Sequence, residues 1–240
     1  LETDLLLVAN DDACTGDPDD QNVFVVPGPR LGPADVADAV VAMGALAREV
    51  VSRVRAHSET TVIGITGSAG KTTTKDLLAA ILADHGPTVA PQGSFNGEVG
   101  VPLTVFRAAL DTRYLVVEMG ADHVGNIEYL CDIVRPDIGV VLMVGTAHAG
   151  SFGGVENIAR TKGELVEAVG AEGVVVLNRD DPQVVAMAER TLAKIVWFST
   201  DEDTVPLIAR DVASGRASGL ALARNLTTDD EGCPAVSYTH

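Results

Sequence analysis

Residues 61–75 read Thr-Val-Ile-Gly-Ile-Thr-Gly-Ser-Ala-Gly-Lys-Thr-Thr-Thr-Lys, and this stretch decides the fold. The β-branched run from Thr61 to Thr66 is typical of a strand, and the apolar spacing after Asp76 is typical of a helix. A strand, a glycine loop and a helix in this order present free backbone N–H groups, which attract phosphate. The stretch therefore predicts a phosphate-binding loop at the carboxyl end of a buried strand.

The spacing within this loop departs from the usual Gly-x-x-x-x-Gly-Lys motif, because Ile65 stands where the first glycine would be. Gly67 and Gly70 provide a shorter loop instead. Lys71 is expected to reach the β- and γ-phosphates of a nucleotide, and the Thr72 hydroxyl is expected to face Mg²⁺. The alternative interpretation is a glycine-rich turn with a chance lysine.

Composition limits the classes of function. The 240 residues are 46% hydrophobic but only 4% aromatic, which favours a parallel sheet buried under small-residue helices. A formal net charge of −17 argues against general nucleic-acid binding. The sequence contains no apolar run long enough for a membrane span. Three widely spaced cysteines show neither metal nor disulfide spacing, so a reducing cytoplasm is expected.

Strand and helix patterns alternate regularly from Thr61, which predicts an α/β fold with a mostly parallel, doubly wound sheet. The predicted strands are 61–66, 87–90, 114–119, 138–144, 173–177 and 194–198, and the predicted helices are 71–84, 125–134, 155–169 and 182–190.

Weaker patterns flank this region. A short strand is predicted at 23–26 and a helix at 34–55, whereas periodicity fades after residue 199. Asp229-Asp230-Glu231-Gly232 indicates a turn in a small β element. We expect a partial N-terminal domain and linker helix at 1–57, a central nucleotide-binding domain at 58–200 and a small β segment at 201–240.

Polar residues follow several predicted strands, where ligands bind in doubly wound sheets. Glu118 ends one strand and is placed to meet Mg²⁺ held by Thr72. His148 lies beyond the next strand. Taken alone, Lys162 on a predicted helix is typical of a solvated surface lysine. Asn178 after a strand could contact an adenine edge, but taken alone it is more typical of a turn or capping residue.

Taken together, these motifs resemble the Mur ligases, the ATP-dependent ligases of peptidoglycan synthesis. The family's phosphate loop is similar to Thr66–Thr73 as it reads here, which accounts for Ile65. The branch that adds D-alanyl-D-alanine is the most similar. The resemblance is carried by the stretches Gly67–Lys75, Ser94-Phe95-Asn96, Glu118-Met119-Gly120-Ala121, Gly145-Thr146-Ala147-His148 with Phe152-Gly153, and Ile158-Ala159 with Lys162 and Glu164.

The resemblance implies a role for each matching residue. Lys71 would neutralise the γ-phosphate, Thr72 and Glu118 would bind a first Mg²⁺, and His148 would help to bind a second. Lys162 matches the lysine that the family carbamylates into an anionic metal ligand. ATP would contact Thr66, Gly67, Ser68, Ala69, Gly70, Lys71, Thr72, Thr73 and, at its adenine, Asn178. Ser94, Phe95 and Asn96 would approach the UDP-muramoyl peptide.

The implied reaction joins UDP-N-acetylmuramoyl-tripeptide to D-alanyl-D-alanine through an acyl phosphate, in a monomer. The sequence departs from the family at Gly97, Asn126 and Met143. It also stops where a C-terminal domain that closes over the nucleotide is expected, so we expect weak ATP binding and inefficient ligation by this chain alone. Another Mur-type ligase, a folylpolyglutamate-type ligase and a nucleotide-binding module without ligase activity remain as alternatives.

Overall fold

Strands and helices alternate along most of the chain. The computed structural model describes residues 6–8, 23–25, 39–145, 154–228 and 234–239. The strands are β1 (Leu6–Val8), β2 (Val23–Val25), β3 (Thr61–Thr66), β4 (Thr88–Val89), β5 (Tyr114–Glu118), β6 (Ile138–Val141), β7 (Val174–Asn178), β8 (Lys194–Ser199), β9 (Gly219–Thr228) and β10 (Pro234–Thr239). The helices are α1 (Ala39–His57), α2 (Lys71–Ala83), α3 (Gly100–Val105), α4 (Asn126–Val134), α5 (Val155–Ala168), α6 (Pro182–Ala186) and α7 (Val205–Ala213).

Eight of these strands form one sheet in the order β10-β9-β8-β7-β6-β3-β5-β4, and β1 pairs with β2 separately. Within the described part of the sheet, every pair is parallel except β9 with β10. The predicted α/β class and doubly wound, mostly parallel sheet are confirmed. The chain leaves β3 for β4 and β5 on one side and then crosses to β6 on the other. Such a reversal opens a crevice beyond the carboxyl ends of the strands.

Helices cover both faces of the sheet, because successive residues of a strand point to opposite sides. Ile63 and Ile65 of β3 pack with Leu78 and Leu82 of α2 in one apolar cluster. Val62 points the other way, into a larger cluster that includes residues of α1, α4 and α5. The two layers hold β3 at the centre of the fold, so the loop that follows it starts from a rigid strand.

The largest difference from the sequence prediction lies after residue 199. The fading periodicity predicts no helix there, yet α7 forms and starts with Pro206 in its first turn, a position that suits proline. Strand β9 then extends the main sheet, with Leu220 opposite Trp197 of β8. Pro206 and the β-branched residues Val205, Ile208 and Val212 are poor helix formers, so the sequence of α7 is not typical of a helix. The predicted turn at 229–232 lies outside the described residues.

Smaller differences concern the ends of elements. The predicted strand at 87–90 is limited to Thr88–Val89, and the helix predicted at 182–190 ends at Ala186 and continues as a 3₁₀ turn over Met187–Arg190. The first long helix runs from Ala39 to His57, whereas 34–38 lie outside the described residues.

Asp137 joins α1 to the sheet just before β6. Its carboxylate pairs with the Arg55 guanidinium at 3.1 and 2.9 Å and also accepts a hydrogen bond from the backbone N–H of Val62 at 2.8 Å. The ion pair is more than one-third exposed on the aspartate side, so solvent screens it. The bond to the buried Val62 N–H is the contact that stabilises the fold, because that donor has no access to water.

We expect Asp137→Ala to lower the free energy of unfolding by about 1–3 kcal/mol, since it removes the acceptor of a buried N–H. Urea unfolding followed by circular dichroism measures the change. Asp111→Ala, at an exposed aspartate, is the matched control and should stay within about 0.5 kcal/mol of the parent chain. Equal stability of the two variants would contradict this role of Asp137.

Candidate active site

The phosphate loop, Thr66–Thr73, joins β3 to α2. Gly70 has a φ of +81° in the left-handed region, which a side chain would strain, and this lets the chain turn directly into the helix at Lys71. The first N–H groups of a helix have no acceptor within the helix, so they are available to phosphate oxygens. The Lys71 amine lies across the loop and donates to the Gly67 carbonyl at 3.0 Å.

The phosphate loop is fixed to the chain that follows β6. The backbone N–H of Ser68 donates to the Met143 carbonyl at 2.9 Å, and the Ser68 hydroxyl accepts from the N–H of Gly145 at 2.8 Å. The N–H of Val144, which lies between Met143 and Gly145, donates to the Asp181 carboxylate at 2.7 Å. These hydrogen bonds fix the phosphate loop to the chain after β6 and, through Asp181, to the chain after β7.

Asn178 takes part in the same connection at the end of β7. Its side-chain amide donates to the Leu142 carbonyl at 2.9 Å and its side-chain oxygen accepts from the N–H of Asp180 at 2.9 Å. The Asp180 carboxylate is bound in turn by Ser199 and Thr200, and these hydrogen bonds outweigh burial and lower its pKa. Asn178 thus has a structural role here, whatever ligand it meets.

Glu118 ends β5 as a buried carboxylate, only 1% exposed. One of its oxygens accepts from the Thr72 hydroxyl at 3.0 Å and the other from the Asn96 side-chain amide at 2.8 Å. Both donors are neutral, and among the described residues no ion pair includes this carboxylate. A buried anion without a cation is costly, so a metal cation fits this position.

The donor set is compatible with Mg²⁺ in particular. Hydroxyl and carboxylate oxygens are ligands that Mg²⁺ accepts, and the ion commonly takes its remaining ligands from phosphates and water. Among the described residues, no group of three or more His, Cys, Asp or Glu side chains could hold a metal ion. His148, the predicted ligand of a second ion, lies outside the described residues.

Lys162 projects from α5 and is only 7% exposed. Within the described chain its amine has no hydrogen-bond or ion-pair partner. Burial, and secondarily the positive charge of Lys71, lowers the pKa of Lys162 from 10.5 to about 8. A substantial fraction of this amine is therefore neutral near pH 8, whereas an exposed lysine is almost fully protonated there.

A cavity of about 700 Å³ joins several of these groups. Five of the residues predicted from the sequence line it, namely Gly67, Ser68, Lys71, Asn96 and Lys162. Of the other predicted residues, Thr72 and Glu118 do not line the cavity, and Glu118 is hydrogen-bonded to both Thr72 and Asn96. Ser94 and Phe95 are exposed on the loop before α3, and neither lines the described cavity.

The far wall of the cavity contains groups that sequence reasoning did not assign. Asn126, which departs from the family pattern, accepts from the N–H groups of Asp122 and His123 and donates to the Glu98 carboxylate at 3.0 Å. Glu164 on α5 accepts from the N–H groups at the start of α4 and so fixes that wall. No spacing rule predicts the contacts of Asn126 with Glu98 or of Glu164 with α4, because they join segments far apart in sequence.

Lys75 was also unassigned, although it lies four residues after Lys71 on α2. It is 1% exposed, and its amine donates to Asp76 at 2.6 Å and to the carbonyls of Pro91 and Gly93 at 3.0 Å each. The helical spacing to Lys71 was the available signal, because residues four apart share a helix face.

Comparison with known proteins agrees with this geometry. The chain is 52% identical over 188 residues to the UDP-N-acetylmuramoyl-tripeptide–D-alanyl-D-alanine ligase of Mycobacterium tuberculosis H37Rv, which covers 78% of this chain and 36% of that protein. The corresponding Escherichia coli K12 ligase is 36% identical over 146 residues, covering 61% of this chain and 31% of that protein. The chain thus spans about a third of the length of these curated relatives.

Solved structures give the same result. A crystal structure of MurF from Acinetobacter baumannii matches with a TM-score of 0.69 and 28% identity, over 93% of this chain and 45% of that one. MurF ligase from Thermotoga maritima in complex with ADP matches with a TM-score of 0.68 and 28% identity, over 92% and 44%. None of the described helices is both long and apolar enough to cross a membrane.

The family model of the Mur ligase middle domain matches residues 65–226, a range that includes the phosphate loop, Glu118 and Lys162. Because this match extends over more than half of the sequence, the chain belongs to the Mur ligase family.

Proposed function

We propose that this chain provides the ATP-binding centre of a UDP-N-acetylmuramoyl-tripeptide–D-alanyl-D-alanine ligase, an enzyme of peptidoglycan-precursor synthesis. The observation that carries the proposal is that the phosphate loop, Asn96 and the buried Lys162 line one cavity. Asn96 and the Thr72 hydroxyl both bind the buried Glu118 carboxylate next to it. Similarity to ligases of this name supports the choice of acceptor and amine. We propose that the reaction takes place in the cytoplasm, where a thiol such as that of Cys131 stays reduced. We also propose that the protein is a monomer.

The phosphate loop and Lys71 would bind the ATP phosphates. A carboxylate oxygen of the tripeptide attacks the γ-phosphorus, and the bond from that phosphorus to the β–γ bridging oxygen breaks. ADP is the leaving group, and the product is an acyl phosphate. Lys71 and the loop N–H groups stabilise the charge that develops on the transferred group. Thr72 and Glu118 would hold Mg²⁺, which when bound neutralises negative charge on the phosphates.

The amine of D-alanyl-D-alanine then attacks the acyl carbon, and inorganic phosphate leaves through a tetrahedral intermediate. The residues around the cavity act mainly by holding the reactants close together, which replaces an encounter in solution by a reaction between neighbours. Ser94, Phe95 and Asn96 belong to the loop that would approach the UDP-muramoyl peptide. His148 would contribute to a second metal site.

Lys162 would act after reaction with carbon dioxide. Its neutral amine adds to the carbon of CO₂ and loses a proton, which converts a buried cation into an anionic carbamate. Two features support this step: the Lys162 amine has no described partner, and Lys71 repels its protonated form. An anion beside Lys71 removes that repulsion and provides oxygen ligands for a metal.

Asn178 is proposed to contact adenine with the capacity that its structural bonds leave free. An asparagine side chain has two N–H donors and two acceptor lone pairs, and one of each is used by Leu142 and Asp180. The remaining donor and acceptor match the paired acceptor and donor on an adenine edge.

Phosphate release from ATP tests the proposed function. We expect release to require both UDP-N-acetylmuramoyl-tripeptide and D-alanyl-D-alanine, and Lys71→Ala to lower its rate by ~10²–10³ without loss of folding. Lys194→Ala, at an exposed lysine, should leave the rate unchanged.

The same assay distinguishes the alternatives. Release driven by a different amino acid or by a folate would favour another Mur-type or a folylpolyglutamate-type ligase. ATP binding without release would favour a nucleotide-binding module. Near-parental turnover by folded Lys71→Ala protein would contradict the role of Lys71.

Lys162→Met should stabilise the chain at pH 7. Folding lowers the pKa of Lys162 from 10.5 to about 8, so the folded state at pH 7 holds a proton that burial disfavours. The difference corresponds to about 3 kcal/mol, which the methionine variant gains in bicarbonate-free buffer. Between these two pKa values the unfolded parent chain binds more protons, so its stability rises with pH and the advantage of the variant shrinks. Urea unfolding at pH 7, 8, 9 and 10 measures this change; a constant difference would contradict it.

A further inference from the structure

We propose that Lys75 is a positioning residue for the magnesium-binding carboxylate. Its buried amine fixes the base of the loop 91–96, and from that loop Asn96 orients Glu118 toward Thr72. The inference rests on the proposed function, in which Glu118 is a ligand of Mg²⁺, and it extends that function to a residue that contacts neither metal nor nucleotide.

The Lys75 amine has a complete set of partners. An ammonium group has three donors, and here they bind the Asp76 carboxylate and the carbonyls of Pro91 and Gly93. Lysine is rarely buried to this degree, because removing its amine from water is costly unless every donor is satisfied. A leucine would pack α2 against the sheet at less cost, so the amine contributes something other than packing: it fixes two backbone carbonyls of the loop.

Asn96 lies three residues beyond Gly93 and is held from both sides. Its carbonyl accepts from the N–H of Gly120 at 2.7 Å while its side-chain amide donates to Glu118. A Cβ atom at Gly120 would lie 2.7 Å from the Asn96 side-chain oxygen. Glycine at this position is therefore what allows the asparagine to reach the carboxylate.

Both oxygens of the Glu118 carboxylate are connected to the same helix, α2. Thr72 and Lys75 lie three residues apart on α2, so both project from neighbouring turns of the same face. Thr72 binds one oxygen of Glu118 directly, and Lys75 fixes the other oxygen through the loop and Asn96. The terminal torsion of a glutamate is intrinsically broad, so two hydrogen bonds referred to one rigid helix define the plane of this carboxylate.

Nucleotide binding with and without metal tests the inference. Calorimetric titration of the chain with ATP, once in Mg²⁺ and once in EDTA, gives a ratio of affinities that reports the metal alone. We expect Lys75→Met to reduce this ratio by roughly 10–100-fold, the usual effect of losing a group that orients a metal ligand. The affinity in EDTA should change less than about twofold, because the phosphate loop is intact. Lys194→Met, at an exposed lysine, is the matched control.

A double-mutant cycle tests whether Lys75 acts on Glu118 through Asn96. Asn96→Ala should show the same loss of the magnesium effect, and the double variant should be no worse than the more damaged single variant, because both act through one contact. Additive losses would overturn the proposed route through Asn96. If Lys75→Met does not fold, Lys75→Gln, which keeps an amide donor, takes its place in the cycle.

The remaining outcomes distinguish a failure of the proposed metal site from a failure of the positioning role of Lys75. A parental chain whose ATP affinity does not respond to Mg²⁺ would contradict the proposed metal site itself. A parental chain that responds, with Lys75→Met responding equally, would overturn the inference alone. Equal loss of affinity in Mg²⁺ and in EDTA would show general damage to the fold and would also overturn it.

Discussion

The burial of the Glu118 carboxylate without a cationic partner among the described residues is the constraint on which the site depends. Such a group is stable only if each oxygen is bound and a cation can approach. The fold meets the first condition with Thr72 on α2 and Asn96 on the loop before α3. The second condition explains why the hydroxyl, the carboxylate and the phosphate loop lie together at the carboxyl end of β3 and β5.

The cavity is lined by two lysines although the protein as a whole is strongly acidic. The chain has a formal net charge of −17, yet two lysines, Lys71 and Lys162, face one cavity beside the phosphate loop. Local cations allow an acidic protein to bind a polyphosphate, because interactions over a few ångströms outweigh a screened distant charge. Burial, and secondarily the nearby charge of Lys71, lowers the pKa of Lys162.

The sequence predicted the central sheet well, because strand and helix periods alternate clearly between residues 61 and 198 and both faces of the sheet are buried. It also predicted the positions of Lys71 and Thr72 at the start of a helix and of Glu118 at the end of a strand. It did not predict α7, whose proline and β-branched residues are poor helix formers, or the extension of the sheet by β9. The long-range partners of Lys75, Asp181 and Asn126 could not be predicted either, because hydrogen bonds between segments distant in sequence leave no periodic signal.

A crystal structure of the chain with Mg²⁺ and a non-hydrolysable ATP analogue would show whether Thr72 and Glu118 hold the metal of a bound nucleotide. We expect phosphate oxygens on the N–H groups of residues 69–72 and a magnesium ion about 2.1 Å from oxygens of both Thr72 and Glu118. Asn96 should remain bound to the second oxygen of Glu118. A nucleotide bound elsewhere, or a magnesium ion on the phosphates that does not contact Glu118, would contradict this expectation.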